Sequence, residues 1–296
     1  MRQQQTDHIA KANGFIAALD QSGGSTPKAL KLYGIEATDY TTEIAMFDLI
    51  HAMRARIVQS SAFSTDYILG AILFEQTMDR HISTLPSADY LWKSCNIVPF
   101  LKVDRGLSSS TDGVSMMASI PALDALLRRA VAANIFGTKM RSIIESASAS
   151  GIQALVAQQF ELAQQILSHG LTPILEPEVS IAIADKSSAE ALLLQAIQTQ
   201  LDALPGTQKI MLKLTLPETP NHYASLIAHP RVLRVVALSG GYSRQTATQM
   251  LCKNKGMIAS FSRALTEGLS AQQNAADFDE RLAQSVLEIY NASITK

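Results

Sequence analysis

The sequence predicts an α/β protein that folds as one (β/α)8 barrel, also called a TIM barrel. Eight short apolar runs alternate along the chain with longer segments of helical period, as in barrels of parallel strands. The 296 residues are enough for eight such units. No linker rich in proline, glycine or serine interrupts the alternation, so we expect residues 1–296 to form a single domain. An open, doubly wound sheet is the alternative.

The predicted strands are short runs of apolar residues, as expected for strands buried on both faces. The arm before Phe15 is expected to be a helix or a loop that closes the bottom of the barrel. The strands are predicted over residues 15–20, 68–75, 97–104, 136–139, 171–178, 209–215, 232–239 and 257–262.

The predicted helices show apolar residues at spacings of three and four, which place those residues on one helical face. The segment that begins at Ile152 is the clearest, since His169 and Gly170 end it in the usual C-terminal pattern and Pro173 follows. Helices are predicted over residues 42–60, 122–134, 152–167, 187–204 and 274–292.

Composition and charge narrow the classes of function. A net charge of −1 gives no reason to expect nucleic acid or an anionic membrane as a partner. No run of about 18 apolar residues occurs and the first residues lack the apolar core of a signal peptide, so we expect a cytoplasmic protein. The histidines show no HxH or HExxH spacing, and Cys95 and Cys252 form no CxxC pair. We therefore expect neither a metal site nor a disulfide.

Charged side chains stand at the carboxyl ends of successive predicted strands, where TIM barrels carry out their chemistry. Asp20 ends the first strand, and Lys102, Lys139, Glu176 and Lys213 lie near the ends of four consecutive later ones. A salt bridge at the rim would explain any one of these residues. Five of the eight strands each bring a charge to the same level, which favours an active site.

Alternation along a strand places every second residue on the same face. Glu176 therefore shares a face with Glu178, and Lys102 shares one with Asp104. Each pair can point into one barrel lumen. Arg141 follows Lys139 by two residues and is a second cation on that strand, which makes it a candidate for binding an anionic substrate.

Lys213 lies in the middle of an apolar strand, where a buried ammonium is costly unless it is paired or functional. In one interpretation the side chain extends past the strand end to an acidic neighbour. In the other, the amine is kept neutral and acts as a nucleophile that forms a Schiff base with a carbonyl substrate. Crowding by other lysines favours the neutral form of an amine through like-charge repulsion, and Glu176 could transfer protons beside it.

Two loops have the composition of phosphate sites. Gly240 and Gly241 follow the seventh strand after Ser239, and Arg263 follows the eighth. Glycines let the backbone approach an anion and arginine adds paired donors, in the loops where barrels often bind phosphate. The loop over residues 21–27 after the first strand offers hydroxyls and free amides for a second phosphate. Ser25 in that loop is equally explained as a helix N-cap.

Together these motifs resemble class I fructose-1,6-bisphosphate aldolase, most closely its short bacterial form. The resemblance extends in order through all eight predicted strands. It rests on Asp20 in AALDQSGGS, Lys102 in FLKVDRG, Lys139 in FGTKMR, Glu176 in ILEPEV, Lys213 in MLKL, the LSGG of residues 238–241 and Arg263 in SFSRAL.

The resemblance implies roles for the catalytic candidates. Lys213 would form the Schiff base with dihydroxyacetone phosphate, and Glu176 would transfer protons as the carbinolamine forms and loses water. Asp20 would act on the C4 hydroxyl as the carbon bond breaks, with Lys139 holding charge beside it. A protonated imine accepts the electrons of the broken bond, so the resemblance implies neither a metal nor another cofactor.

The resemblance also implies that Lys102 and Ser25 hold one phosphate, while Ser239, Gly240 and Arg263 hold the other. The expected partner is therefore a sugar phosphate. The family includes tetramers, but no contiguous apolar patch is evident in the sequence, so a homo-oligomer is left open.

The chain departs from the animal enzymes at several positions. Those enzymes end in a tyrosine that assists proton transfer, whereas the nearest tyrosine here is Tyr290, on a predicted helix. Met140 and Ser262 stand where the animal motifs carry tryptophan and glycine. These departures leave the stereochemical selectivity open more than the reaction type. The alternatives that keep the Schiff base are an aldolase of the tagatose or deoxyribose type and a transaldolase. A barrel that only binds or scaffolds is the alternative that is not an enzyme.

Overall fold

The computed structural model describes residues 1–294 and has eight parallel strands arranged as a barrel. The predicted fold class is confirmed. The strands are β1 (Phe15–Leu19), β2 (Ile68–Leu73), β3 (Val98–Lys102), β4 (Gly137–Ile144), β5 (Thr172–Val179), β6 (Ile210–Thr215), β7 (Val232–Leu238) and β8 (Ile258–Ala259). Each strand pairs in parallel with the next one along the chain.

The seam between the last and first strands is short. The amide of Ala18 in β1 donates to the carbonyl of Phe261, 3.2 Å away, just beyond β8. β8 itself has two residues, fewer than predicted, although the amide of Ser260 still bonds to the carbonyl of Ala237 at 2.8 Å. The barrel is therefore nearly closed, with the fewest backbone bonds between β8 and β1.

Helices surround the strands. The helices are α1 (Arg2–Lys11), α2 (Thr26–Leu32), α3 (Glu43–Gln59), α4 (Glu75–Met78), α5 (Ser87–Asp89), α6 (Leu123–Ala132), α7 (Ala149–Ser168), α8 (Lys186–Ala203), α9 (Ala224–Ala228), α10 (Arg244–Leu251), α11 (Arg263–Thr266) and α12 (Ala275–Ile294). All five predicted helices are present, with ends that differ by one to three residues. None of the helices in residues 1–294 combines the length and apolar character that a membrane span requires.

Some elements were not predicted because they depend on partners elsewhere in the chain. β4 is longer than predicted: it continues past Lys139 because β5 pairs with it along its length and the short strand Val114–Ser115 pairs with its end. The small hairpin of His81–Ile82 with Leu85–Pro86 has no sequence pattern of its own.

Alternate residues of the strands separate two apolar cores. The inner core fills the lower barrel, where Phe100 and Phe136 meet edge to face with ring centroids 5.4 Å apart. Gly137 leaves room for this packing, since a Cβ there would lie 2.9 Å from Cδ1 of Phe100 and 2.2 Å from the carbonyl oxygen of Thr172. α1 closes the bottom, as expected, because Ile9 joins the inner core and Arg234 donates to the carbonyl of Ala10 at 2.7 Å. The polar side chains at the other end of the strands form the mouth.

Candidate active site

Lys213 points into the barrel, one layer above the inner core. Its neighbour two residues earlier, Met211, belongs to that core, and alternation places the lysine on the same face. Nζ of Lys213 lies 3.1 Å from Oε1 of Glu176, and both side chains are about 95% buried. The lysine thus has an acidic neighbour, but that neighbour lies inside the lumen and not past the strand end.

Lys139 is at the centre of the charged cluster. Its Nζ lies 2.7 Å from Oδ2 of Asp20, 3.0 Å from Oε2 of Glu176 and 3.9 Å from Oδ2 of Asp104. The four predicted catalytic side chains therefore form one continuous chain of contacts across the lumen, from Asp20 through Lys139 and Glu176 to Lys213.

Mutual attraction sets the charge states of Asp20, Glu176 and Lys139. Burial alone would raise the pKa of Asp20, but the ammonium groups of Lys139 and Lys213 outweigh it and hold that pKa below its ordinary value. The pKa of Glu176 is lowered for the same reason. Burial alone would lower the pKa of Lys139, but Asp20 and Glu176 raise it. Near neutral pH, Asp20 and Glu176 are carboxylates and Lys139 is an ammonium.

Lys102 and Asp104 form a second buried pair at the same level. Nζ of Lys102 lies 2.5 Å from Oδ1 of Asp104 and 2.9 Å from the carbonyl oxygen of the same residue. Burial lowers the pKa of Lys102, and the Asp104 carboxylate opposes part of that effect. The carboxylate also accepts from the amide of Gly106 at 3.3 Å and that of Arg141 at 3.2 Å. Asp104 therefore separates Lys102 from Lys139 and holds both.

Arg141 stands above this cluster, half-buried at the mouth. Its Nε donates to Oε2 of Glu178 over 2.6 Å. Burial alone would lower the pKa of Arg141, and the hydrogen bond to Glu178 raises it. The guanidinium thus stays charged and faces the cleft with donors that are not used by Glu178.

A cleft of about 620 Å³ opens over these residues, a volume within the usual range for small-molecule sites. Ser25 and Lys28 line it on the side of the first loop, and Ser262 and Arg263 line it on the side of the last. Ser25 occupies the N-cap position of α2, but its hydroxyl bonds to Ser22 and not to the helix. Its side chain is exposed to the cleft.

The glycine turn after β7 lies beside Arg263 and not in the cleft wall. Gly240 and Gly241 have φ of +60° and +122°, values that favour glycine. A Cβ at Gly241 would lie 3.8 Å from Nη2 of Arg263. The turn and the arginine are therefore neighbours, as the interpretation of a phosphate site requires. Ser239 and Gly240 are half-buried and are not among the described residues that line the cleft.

Comparison with known proteins identifies the family. The chain is 56% identical over 293 residues to class 1 fructose-bisphosphate aldolase of Synechocystis, covering 99% of this chain and 98% of the relative. It is 54% identical over 295 residues to that of Clostridium acetobutylicum and 52% identical over 294 to that of Porphyromonas gingivalis. Each of the latter two matches covers at least 99% of this chain and all of the relative. The chain belongs to the class 1 fructose-bisphosphate aldolases.

Solved structures of fructose-bisphosphate aldolases share its fold. A Plasmodium falciparum aldolase superposes with a TM-score of 0.75 at 20% identity, covering 100% of this chain and 95% of that one. An archaeal aldolase whose catalytic lysine is bound to the carbinolamine intermediate gives a TM-score of 0.56 at 10% identity, covering 98% and 100%. No protein-family model matches the chain.

The departures from the animal aldolases have defined places in this class 1 aldolase. Tyr290 packs edge to face on Tyr67, with centroids 5.0 Å apart, at the bottom of the barrel where β2 begins. It lies at the opposite end from the cleft. Met140 is buried in the core between strands and helices. Ser262 lines the cleft and accepts a hydrogen bond from Nε2 of Gln21 at 3.0 Å. The last two residues, Thr295 and Lys296, lie outside the described residues.

Three residues of this aldolase site have roles that no sequence pattern predicts. Asp104 was placed on the lumen face by alternation, but its position between two lysines depends on the spacing of β3 and β4. Gln21 was recognised only as part of a polar loop. Arg54 gave no signal, because a single arginine in a helix is ordinarily exposed to solvent. All three contact the predicted site residues or the loops that carry them.

Proposed function

We propose that the protein reversibly cleaves fructose 1,6-bisphosphate to dihydroxyacetone phosphate and glyceraldehyde 3-phosphate through a Schiff base on Lys213. The observation that carries this proposal is the 3.1 Å contact between Lys213 and Glu176 inside a barrel whose family is class 1 aldolase. A buried amine beside a carboxylate has the two groups that imine formation needs, a nucleophile and a proton carrier.

Imine formation uses Lys213 and Glu176. Glu176 takes a proton from Lys213, the resulting neutral amine attacks C2 of the ketose, and a proton moves from the nitrogen to the carbonyl oxygen, which gives a carbinolamine. Glu176 then delivers a proton to the departing hydroxyl, water leaves, and a protonated imine remains. Lys139, 3.0 Å from the same carboxylate, keeps Glu176 oriented and supplies positive charge while its protonation changes.

Carbon bond cleavage uses Asp20. Its carboxylate removes the proton of the C4 hydroxyl, the C3–C4 bond breaks, and the electron pair moves into the protonated imine to give an enamine. Glyceraldehyde 3-phosphate departs as the aldehyde that forms at C4. The enamine then takes a proton at C3, and water hydrolyses the imine to release dihydroxyacetone phosphate and the free lysine.

The two phosphates would bind at opposite sides of the cleft. Lys102 and Ser25 line one part of it, with Arg141 nearby, and Arg263 lines the side of the last loop next to the glycine turn. We assign Ser239 and Gly240 to that second phosphate through their backbone amides. Binding at both ends aligns C2 with Lys213 and the C4 hydroxyl with Asp20.

Borohydride trapping tests the assignment of the nucleophile. Reduction in the presence of dihydroxyacetone phosphate should attach one three-carbon phosphate to Lys213, located by peptide mass spectrometry. Lys213→Met should abolish the adduct and the cleavage activity. Lys209→Met, at an exposed lysine in the same stretch, is the matched control and should retain both. An adduct on Lys102 or Lys139 would contradict the proposal.

We further propose a single-domain cytoplasmic enzyme that needs no metal or other cofactor and takes a sugar phosphate as its partner. The net charge of −1 supports the absence of a nucleic-acid or membrane partner. Full activity after dialysis against EDTA would agree with the Schiff-base chemistry, and a loss restored by zinc would contradict it. Sedimentation of the purified protein would give its oligomeric state.

A further inference from the structure

Arg54 is a buried charge that the proposed reaction does not use. It lies in the middle of α3 with no exposed surface and is the largest fully buried side chain of the described residues. Burial lowers the pKa of Arg54 to about 9, although the Asp20 carboxylate opposes the effect. The guanidinium therefore remains charged at neutral pH. A buried charge is costly and is retained only where other groups compensate for it.

The hydrogen bonds of this guanidinium go to uncharged oxygens in the loop after β1 and in α4. Nη2 donates to the carbonyl oxygen of Gln21 at 2.5 Å and to its Oε1 at 3.3 Å. Nη1 donates to the hydroxyl of Thr77 at 2.7 Å, in α4 after β2. Nε has no hydrogen-bond partner among the described residues. The arginine is thus fixed mainly by Gln21, the residue that follows Asp20.

Gln21 continues the connection to the other side of the barrel seam. Its side chain amide donates to the hydroxyl of Ser262 at 3.0 Å, next to Arg263. This bond spans the β8–β1 seam at the level of the cleft, where β8 has already ended. Arg54, Gln21 and Ser262 therefore form a chain of side chains that joins the first loop to the last.

We propose that Arg54 is a positioning residue for carbon bond cleavage, which holds the Gln21 backbone so that Asp20 faces the C4 hydroxyl. This inference rests on the proposed aldolase function. The carbonyl of Gln21 is the first acceptor beyond Asp20, and no strand ladder holds that part of the loop because β1 ends at Leu19. A charged donor at that carbonyl gives a stronger hold than a neutral one.

Because Arg54 contacts the loop that follows Asp20, its loss should affect the two halves of the reaction differently. Asp20 acts in bond cleavage, whereas imine formation with dihydroxyacetone phosphate needs Lys213 and Glu176 on β6 and β5. Loss of the arginine should therefore disturb cleavage and leave trapping largely intact. A role limited to packing would lower both in proportion to the fraction of folded protein.

The experiment compares Arg54→Met with the wild type in two assays. Cleavage of fructose 1,6-bisphosphate should fall at least about tenfold in kcat, since small displacements of a reacting group cost that much or more. The rate of borohydride trapping with dihydroxyacetone phosphate should stay within about twofold of wild type in folded protein. Equal losses in the two assays, or no loss of cleavage, would overturn the proposal.

Three further variants, Thr77→Val, Gln21→Ala and Arg54→Lys, keep the test decisive if Arg54→Met does not fold. Thr77→Val removes the second anchor of the guanidinium with little change in volume and should give a smaller loss of cleavage without a loss of trapping. Gln21→Ala keeps the backbone carbonyl that Arg54 holds but removes the side-chain bonds to Arg54 and to Ser262. Arg54→Lys keeps the charge but loses the two nitrogens that reach the Gln21 carbonyl and Thr77 together, so it should reduce cleavage more than Gln21→Ala does. A reversed order would overturn the proposal. A wild-type protein that neither cleaves nor traps would contradict the proposed function itself.

Discussion

Nζ of Lys213 and Oε1 of Glu176 are 3.1 Å apart, on neighbouring strands and away from solvent. This contact would place the Glu176 carboxylate beside the oxygen of a carbinolamine formed on Lys213. Glu176→Gln keeps the shape of the side chain but removes its ability to transfer a proton. We expect kcat to fall by about 10² to 10⁴, the usual contribution of general acid–base catalysis. Single-turnover trapping should show that imine formation has become the slow step, and normal trapping would contradict the assigned role.

Asp20 is expected to act only in carbon bond cleavage. Asp20→Asn should lower cleavage of fructose 1,6-bisphosphate by about a hundredfold or more because the C4 hydroxyl loses its base. The hydroxymethyl carbon of dihydroxyacetone phosphate, which is C3 in the hexose, exchanges a proton with solvent through the imine and enamine without cleavage. This exchange, followed by NMR in deuterium oxide, should persist in the variant. A variant that loses exchange and cleavage to the same extent would show that Asp20 acts earlier in the reaction.

Asp104 is expected to keep Lys102 charged for phosphate binding. Burial and the positive charge of Lys139 lower the pKa of Lys102, with burial the larger effect, whereas the Asp104 carboxylate raises that pKa. Asp104→Asn removes the raising effect, so the lysine should lose its charge at a lower pH than in the wild type. KM for fructose 1,6-bisphosphate, measured from pH 6 to 9, should therefore begin to rise at a lower pH in the variant than in the wild type. Parallel KM profiles would contradict this role.

The buried carboxylates should make the stability of the protein sensitive to acid. Attraction to the lysines outweighs burial and holds the pKa of Asp20 and of Glu176 below its ordinary value in the folded state. The unfolded state then binds more protons as the pH falls, so the free energy of unfolding decreases on acidification below about pH 5. Urea unfolding at pH 7 and pH 4 should show this loss.

Two variants separate the buried carboxylates from the rest of the chain in that measurement. Asp20→Asn should reduce the loss of stability between pH 7 and pH 4, because one group with a lowered pKa is gone. Glu161→Gln, at an exposed position of α7, should lose as much stability as the wild type. An Asp20→Asn protein with the full wild-type loss would show that other groups control the acid response.

The fold was predictable because each strand and helix of the barrel has a hydrophobic pattern within its own stretch of sequence. Period-two alternation on the strands and spacings of three and four on the helices describe faces that must be buried. The same alternation allowed Glu176 and Lys102 to face the lumen, whereas the direction of Lys213 was left open. The limits of the prediction lie at β4 and β8, whose lengths depend on pairing with distant residues.

The barrel, the level of the charged side chains along each strand and the family motifs follow from the amino-acid order alone, because they depend on neighbours along the chain. Which charges meet depends on the folded chain: Lys139 bridges Asp20 and Glu176, Asp104 separates two lysines, and Arg54 reaches Gln21. The physical reason is that such contacts join residues on different strands and helices. The distances between these residues depend on how the barrel closes, and patterns among residues close in the sequence do not specify them.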